Sequence, residues 1–299
     1  MGAGLILVNE SSGPDDLPIE DLASSFPGNQ IEPFDPDTFA QRVRAAIADG
    51  IGFVGVAGGD GTIRSVVDEI LGTEAALLPI PAGTRNHFAR ALGIDDLALA
   101  VAAAGPDGQR QAVDVGEVND RYFLNNASIG LYPGLVVRRE EHERVIPKPL
   151  ANVIATWQEL RRGRKITVTF DDTPIRAWMM FVGNGCYGDS IRDLGSRESL
   201  SDNVLDVRVV RADRRASRLR VLSALMLGRL GRSPLILRFQ SSKVTVELQG
   251  RTAEVALDGE VETIPTPLCF RSRPLALTVL VPPTIGEPDP SQDPGPQPG

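Results

Sequence analysis

The sequence predicts an α/β domain followed by a mainly antiparallel β domain. Two observations lead there. Over the first third of the chain, short apolar runs ending in glycine alternate with segments of helical spacing, the pattern of βαβ units and a parallel sheet. Near residue 112 that pattern gives way to short-period strands separated by turn signals.

Leu5-Ile6-Leu7-Val8 reads as a strand running into the polar stretch Asn9-Glu10-Ser11-Ser12-Gly13. A helix is expected over about 36–49. Asp35 suits its cap and Pro36 its first position, and Phe39, Val43, Ala46 and Ile47 share a face before Gly50. Phe53, Val54 and Val56 make a strand too short and too β-branched for a helix. It breaks at Gly58-Gly59-Asp60-Gly61-Thr62. Apolar residues resume at Ile63, Val66, Val67, Ile70 and Leu71, one helical face that Gly72 ends. Leu77-Leu78-Pro79-Ile80 is another short strand. PAGTRNHFARALG then begins a second glycine loop and helix, and residues 95–104 form a short Ala-rich helix.

The second part opens with AVDVGEVNDRYFLNNASIG, which carries an Asn119-Asp120 turn signal. KITVTFDDTPIRAWMMFVGN reads as two strands around Asp171-Asp172-Thr173-Pro174, and LDVRVV, KVTVELQG, TAEVALDG and LALTVLVP continue the strands. Helices interrupt near 149–161 and 216–230. The expected domains are 1–115 and 116–281, with a disordered tail over 282–299 that is rich in proline and acidic residues.

With 299 residues the chain has ample material for a core, and a formal net charge of −8 argues against bulk nucleic-acid binding. Only Cys186 and Cys269 are present, so no disulfide framework is expected and a reducing cytoplasm is the natural compartment. His87 and His142 are the only histidines, which disfavours a His/Cys zinc site. MGAGLILVNESSG has no basic region and too short an apolar run for a signal peptide, and no run is long enough to span a bilayer. A membrane, if involved, would be met at its surface.

Four polar-glycine clusters carry the chemistry: Asn9–Gly13, Gly58–Thr62, Gly83-Thr84-Arg85-Asn86 and Asp258-Gly259-Glu260. In an open parallel sheet the loops after the strands converge on one crevice, so the first three are expected to meet. The glycines of the second allow a sharp turn and close approach, and the following helix offers free N–H groups to phosphate. Such a set suits a nucleotide triphosphate with Mg²⁺. The chain contains no P-loop sequence, and no GxGxxG with a following acidic residue.

GGDGTIRSVVDEIL, PIPAGTRNHFARALGI, VDVGEVNDRYFLNNASIG and ALDGE together resemble the bacterial diacylglycerol kinase-like lipid kinases, whose catalytic domain is shared with eukaryotic diacylglycerol, sphingosine and ceramide kinases. NAD kinases are distant relatives. The resemblance runs from about Leu5 to Val281 and implies an α/β nucleotide-binding domain, a C-terminal β-sandwich and an active site in the cleft between them. It implies ATP contacts at Asn9, Glu10, Ser11, Ser12 and Gly13, at Gly58, Gly59, Asp60, Gly61, Thr62, Ile63 and Arg64, and at Thr84 and Asn86. Asp60 matches an acidic residue that organises catalytic Mg²⁺ or, in some relatives, serves as the base. Glu260 matches the proton acceptor, and Asp258 of the same triplet is counted with the catalytic residues. SLSDNVLDV resembles a structural-magnesium segment, pointing to Asp202 with the backbone of Ser199 and Val204.

Two departures stand out. Asn203 replaces a usual glycine and tolerates left-handed geometry. Asn86-His87-Phe88-Ala89 stands where many relatives read Asn-Asp-Phe-Ala, so His87 either alters the Mg²⁺ network or substrate positioning, or is a spacer in the cleft wall.

The Arg-rich stretch over 208–232 has two readings. Leu219, Leu222, Met226 and Leu230 form a stripe with Arg215, Arg218 and Arg229 off it, which either packs on its own domain or meets anionic lipid. The expected activity is ATP-dependent phosphorylation of a hydroxyl on a diacylglycerol-like or sphingoid lipid. The alternatives are an NAD kinase-like enzyme and a catalytically silent nucleotide-binding regulator. A lipid substrate at a membrane surface is the expected partner, nucleic acid is not, and a homodimer is left open. The expected location is cytoplasmic, with the inner face of the membrane in reach.

Overall fold

A computed structural model of the chain describes residues 3–10, 18–84, 86–130, 165–170, 173–188, 197, 199–212, 235–248 and 250–283. The chain opens with β1 (Gly4–Val8), α1 (Ile19–Ser25), β2 (Gln30–Pro33), α2 (Phe39–Ala48), β3 (Phe53–Gly58), α3 (Asp60–Ile70) and β4 (Ala76–Pro81). These four strands lie parallel in the order β2-β1-β3-β4. Strands β1 and β3 are buried throughout, which is why they read as unbroken apolar runs.

The expected helix over 36–49 begins at Phe39 instead. The Asp35 carboxylate accepts from the Asp37 N–H and the Thr38 hydroxyl, both at 2.9 Å, so it closes a turn ahead of the helix. Gly72, with φ of +76°, follows α3 in the left-handed conformation its position demands. Then come α4 (His87–Ala91), α5 (Leu97–Ala104), β5 (Gln109–Val118) and β6 (Arg121–Phe123). Asn119 and Asp120, both at positive φ, form the turn between β5 and β6.

The remaining strands are β7 (Asn126–Gly130), β8 (Ile166–Phe170), β9 (Thr173–Asn184), β10 (Leu205–Arg211), β11 (Ile236–Ser241), β12 (Lys243–Val246), β13 (Thr252–Leu257), β14 (Glu260–Pro265) and β15 (Leu268–Val281). Six of them form an antiparallel path, β11-β10-β9-β7-β13-β14, with β8 added on β9. The other two do not join it. β15 returns to the first sheet, where Val279 pairs in parallel with Leu77 of β4 and much of the strand runs antiparallel to β5. β12 pairs with β15.

The first sheet therefore has a parallel half covered by helices and an antiparallel half that faces the second sheet. Phe123, Val246, Leu268 and Phe270 of that half pack with Ile129, Val182, Val207 and Val255 in one buried cluster. This interlocking produces a mixed α/β N-terminal region and a C-terminal antiparallel β region. The expected helices near 149–161 and 216–230 and the tail beyond Pro283 lie outside the described residues, as do Arg215, Arg218 and Arg229. Arg208, at the start of the Arg-rich stretch, is buried and paired with Asp206.

Candidate active site

The loops after β3 and β4 touch backbone to backbone. A Cβ on Gly83 would lie 2.6 Å from Cα of Gly59 and 2.9 Å from Oδ1 of Asn86. On Gly59 a Cβ would have only Gly83 Cα nearby, at 3.9 Å, so that position faces open space. Asn86 sits at φ of +50° and folds its side chain onto Gly83: it accepts the Gly83 N–H at 2.9 Å and donates to the Gly83 carbonyl at 2.7 Å. Asn9, just after β1, donates to the Thr62 hydroxyl at 2.8 Å. Asn9, Gly58–Arg64, Thr84 and Asn86 thus gather at the carboxyl ends of adjacent parallel strands, where open α/β sheets bind ligands. Glu10 and Thr84 are exposed there. Ser11, Ser12, Gly13 and Arg85 lie outside the described residues.

Asp60 does more than begin α3. Its carboxylate accepts the N–H of His87 at 3.0 Å and that of Phe88 at 2.9 Å, so it caps α4, whose own preceding residue Asn86 does not. His87 contributes its backbone to this cap.

The fourth cluster arrives from the second sheet. Asp258 and Gly259, at φ of +49° and +99°, make the tight turn between β13 and β14. The Asp258 carboxylate accepts three successive backbone N–H groups, from Leu124 at 2.7 Å, Asn125 at 2.8 Å and Asn126 at 2.9 Å. Burial pushes this carboxyl up to about 6; the three hydrogen bonds oppose the rise, and the nearby charge of Asp60 adds to it.

The turn puts Glu260 against the first turn of α3, where a Cβ on Gly61 would collide with Oε1 of Glu260. Its side chain is 58% exposed and so open to the cleft. Arg64 of α3, only 9% exposed, donates from Nε to the Tyr122 carbonyl at 3.0 Å, places Nη1 3.5 Å from Glu260, and pairs through Nη2 with Glu262.

Behind the turn, Tyr187 donates its hydroxyl to the Asn125 carbonyl at 2.6 Å, and burial pushes that hydroxyl up to about 12. Arg197 donates to the carbonyls of Leu124 at 2.7 Å and Asn184 at 3.0 Å, with its guanidinium 5.7 Å from the Tyr187 ring and 6.0 Å from that of Phe88. Glu262, Tyr187 and Arg197 escape sequence reasoning, since each is a single polar residue with no motif around it.

Among the described residues no three His, Cys, Asp or Glu side chains converge as a metal cage. The segment matched to a structural magnesium site offers something different. Gly185 donates its N–H to the Val204 carbonyl at 2.8 Å, and a Cβ on it would lie 3.0 Å from the Ser199 carbonyl oxygen. Both carbonyls thus lie beside Gly185, while Asp202 is exposed and Asn203 takes the left-handed φ of +54° with its N–H held by Asp114. An oxygen-only donor set of this kind fits Mg²⁺.

Two outcomes follow. Gly83→Val is expected to lower stability by about 1–3 kcal/mol through overpacking, whereas Gly59→Val leaves it within about 0.5 kcal/mol; urea titrations measure both. Asp258 holds its proton in the folded state to about pH 6, above the ordinary 3.8. Folding therefore favours the protonated form: the contribution to stability is complete below about pH 4 and lost as pH rises through about 6. The stability of the parent minus that of Asp258→Asn should fall across this window, and a flat difference would contradict burial of the carboxyl.

The profile described as "Diacylglycerol kinase catalytic domain" matches residues 4–118, and that described as "YegS C-terminal NAD kinase beta sandwich-like domain" matches residues 130–281. A protein of Pseudomonas fluorescens named "Probable lipid kinase YegS-like" is 30% identical over 253 residues, covering 81% of this chain and 82% of its own. "Diacylglycerol kinase" of Bacillus subtilis is 28% identical over 214 residues, covering 68% and 69%. In fold, the crystal structure of a diacylglycerol kinase from Bacillus anthracis superposes with a TM-score of 0.64 at 21% identity, covering 94% of this chain and 97% of that one. By sequence as well as fold, the chain belongs to the diacylglycerol kinase-like lipid kinase family.

Proposed function

We propose that the protein transfers the γ-phosphoryl group of ATP to a hydroxyl of a diacylglycerol-like or sphingoid lipid. The observation that carries this reading is the seat of Glu260. An exposed carboxylate from the second sheet rests against Gly61 in the first turn of α3, beside the helix N-terminus best suited to phosphate. ATP phosphates would lie along Gly58–Thr62, whose N–H groups and open Gly59 position admit them. Asn9, Thr62, Thr84 and Asn86 would line the rest.

The lipid hydroxyl would give its proton to Glu260 as its oxygen bonds to the γ-phosphorus, and the bond to the bridging oxygen breaks to leave ADP. Asp60 fits a supporting part. Both of its oxygens already hold α4, so it keeps the two glycine loops in register, and Glu260 suits the base better. Mg²⁺ takes one or two carboxylates plus phosphate oxygens and water, so Asp60 would hold the nucleotide's ion, which offsets charge on the phosphates. Asp202 and the carbonyls of Ser199 and Val204 would hold a second. Among the described residues no helix is long and apolar enough to cross a membrane, so a bilayer-borne acceptor would be met at the surface.

ADP release measured with diacylglycerol, ceramide, a sphingoid base and NAD tests the reading. Turnover is expected with a lipid and not with NAD, and silence with all four would overturn it. Glu260→Gln should keep ATP affinity and lose about 10²–10⁴-fold in kcat, the scale of general-base catalysis. Gly59→Val should abolish ATP binding in calorimetry while the protein stays folded, and unchanged affinity would remove the loop from the site.

A further inference from the structure

We infer that Arg64 is a positioning residue for Glu260: a buried guanidinium on the nucleotide-side helix that holds the turn of the second sheet in place. This rests on Glu260 being the proton acceptor. The resemblance to lipid kinases matches Arg64 to a position that meets ATP, but here its fork is committed to protein. Nε is anchored on the Tyr122 carbonyl of β6 at 3.0 Å, Nη2 on Glu262, and Nη1 faces Glu260 at 3.5 Å. Glu262 is in turn 3.5 Å from Arg121.

Glu260 and Glu262 lie two apart on β14 and so project from the same face of the strand. Two like charges there would repel, and a cation between them removes the conflict. A buried arginine is tolerated only when its donors are met, and these three partners come from both sheets. Planarity matters too. The fork can hold a carbonyl and two carboxylates at once, whereas a lysine offers a single point charge. Gly61 completes the seat by leaving room for the Glu260 carboxylate. Arg64 therefore fixes where the base stands relative to the phosphate loop without itself touching the reacting atoms.

Two measurements test this. Hydrogen exchange on peptides covering 258–262 should quicken about tenfold in Arg64→Ala, because local opening loses a restraint, and unchanged exchange overturns the proposal whatever the acceptor. In the ADP-release assay, with the lipid that turns over, Arg64→Ala should lower kcat about 10²-fold with KM for ATP unchanged. Arg64→Lys should recover part of the loss. Arg64→Ala added to Glu260→Gln should cost nothing further. A raised KM for ATP with kcat intact would make Arg64 a nucleotide contact and overturn the proposal. If Glu260→Gln itself keeps its kcat, the proton-acceptor reading fails, and exchange alone then decides whether Arg64 holds the turn. Should Arg64→Ala not fold, Arg64→Lys carries both measurements.

Discussion

Everything at the candidate site depends on how closely two glycine loops and one carboxylate side chain approach. Gly59, Gly61 and Gly83 each occupy a point where another group claims the space a side chain would need, or where the cleft itself opens. The loops after β3 and β4 meet at Gly59 and Gly83, and the second sheet reaches α3 over Gly61. A larger residue at Gly83 would push apart the two loops that bring Asp60 and Asn86 together, and one at Gly61 would displace the Glu260 carboxylate from its seat.

Two carboxylates then convert proximity into fixed geometry. Asp60 and Asp258 each spend their oxygens on backbone N–H groups of another segment, Asp60 across two parallel-strand loops and Asp258 from a hairpin to the start of β7. Charge-assisted bonds of this kind are stronger and more directional than neutral ones. The cost is visible in Asp258, whose carboxyl titrates well above an ordinary aspartate because burial outweighs the bonds it accepts. The chemically exposed group, Glu260, is thus supported by acids that are themselves occupied.

What the sequence could reveal followed the range of the forces involved. β1, β3, α3 and β4 were legible because buried strands and an amphipathic helix write continuous or periodic apolar patterns. α1 and β2 were not: Gln30-Ile31-Glu32-Pro33 is an edge strand without a fully buried residue, so it leaves no apolar run. The close approach of the glycine clusters was legible, since tight turns and backbone contact demand glycine locally, and Gly59 and Gly83 do meet. The Asp258-Gly259 pair was legible both as a hairpin turn and as part of the site, and it is a hairpin turn that carries Glu260. The clamp of Arg64 on Glu262 was not legible, because ion pairs between distant segments leave no spacing to read.

The return of β15 has a consequence for how the chain reaches this state. β4 is parallel to its last neighbour, and that neighbour lies at the far end of the described residues, with Val279 finding Leu77 across most of the chain. During synthesis the parallel half of the first sheet would emerge with one flank of β4 unpaired. Its backbone groups would wait there until the whole second sheet had been made. Such long-range closure raises contact order, slows folding and leaves a transient strand edge open to wrong partners. The same connection ties the two sheets together, since the first is closed only by a strand made after all those of the second.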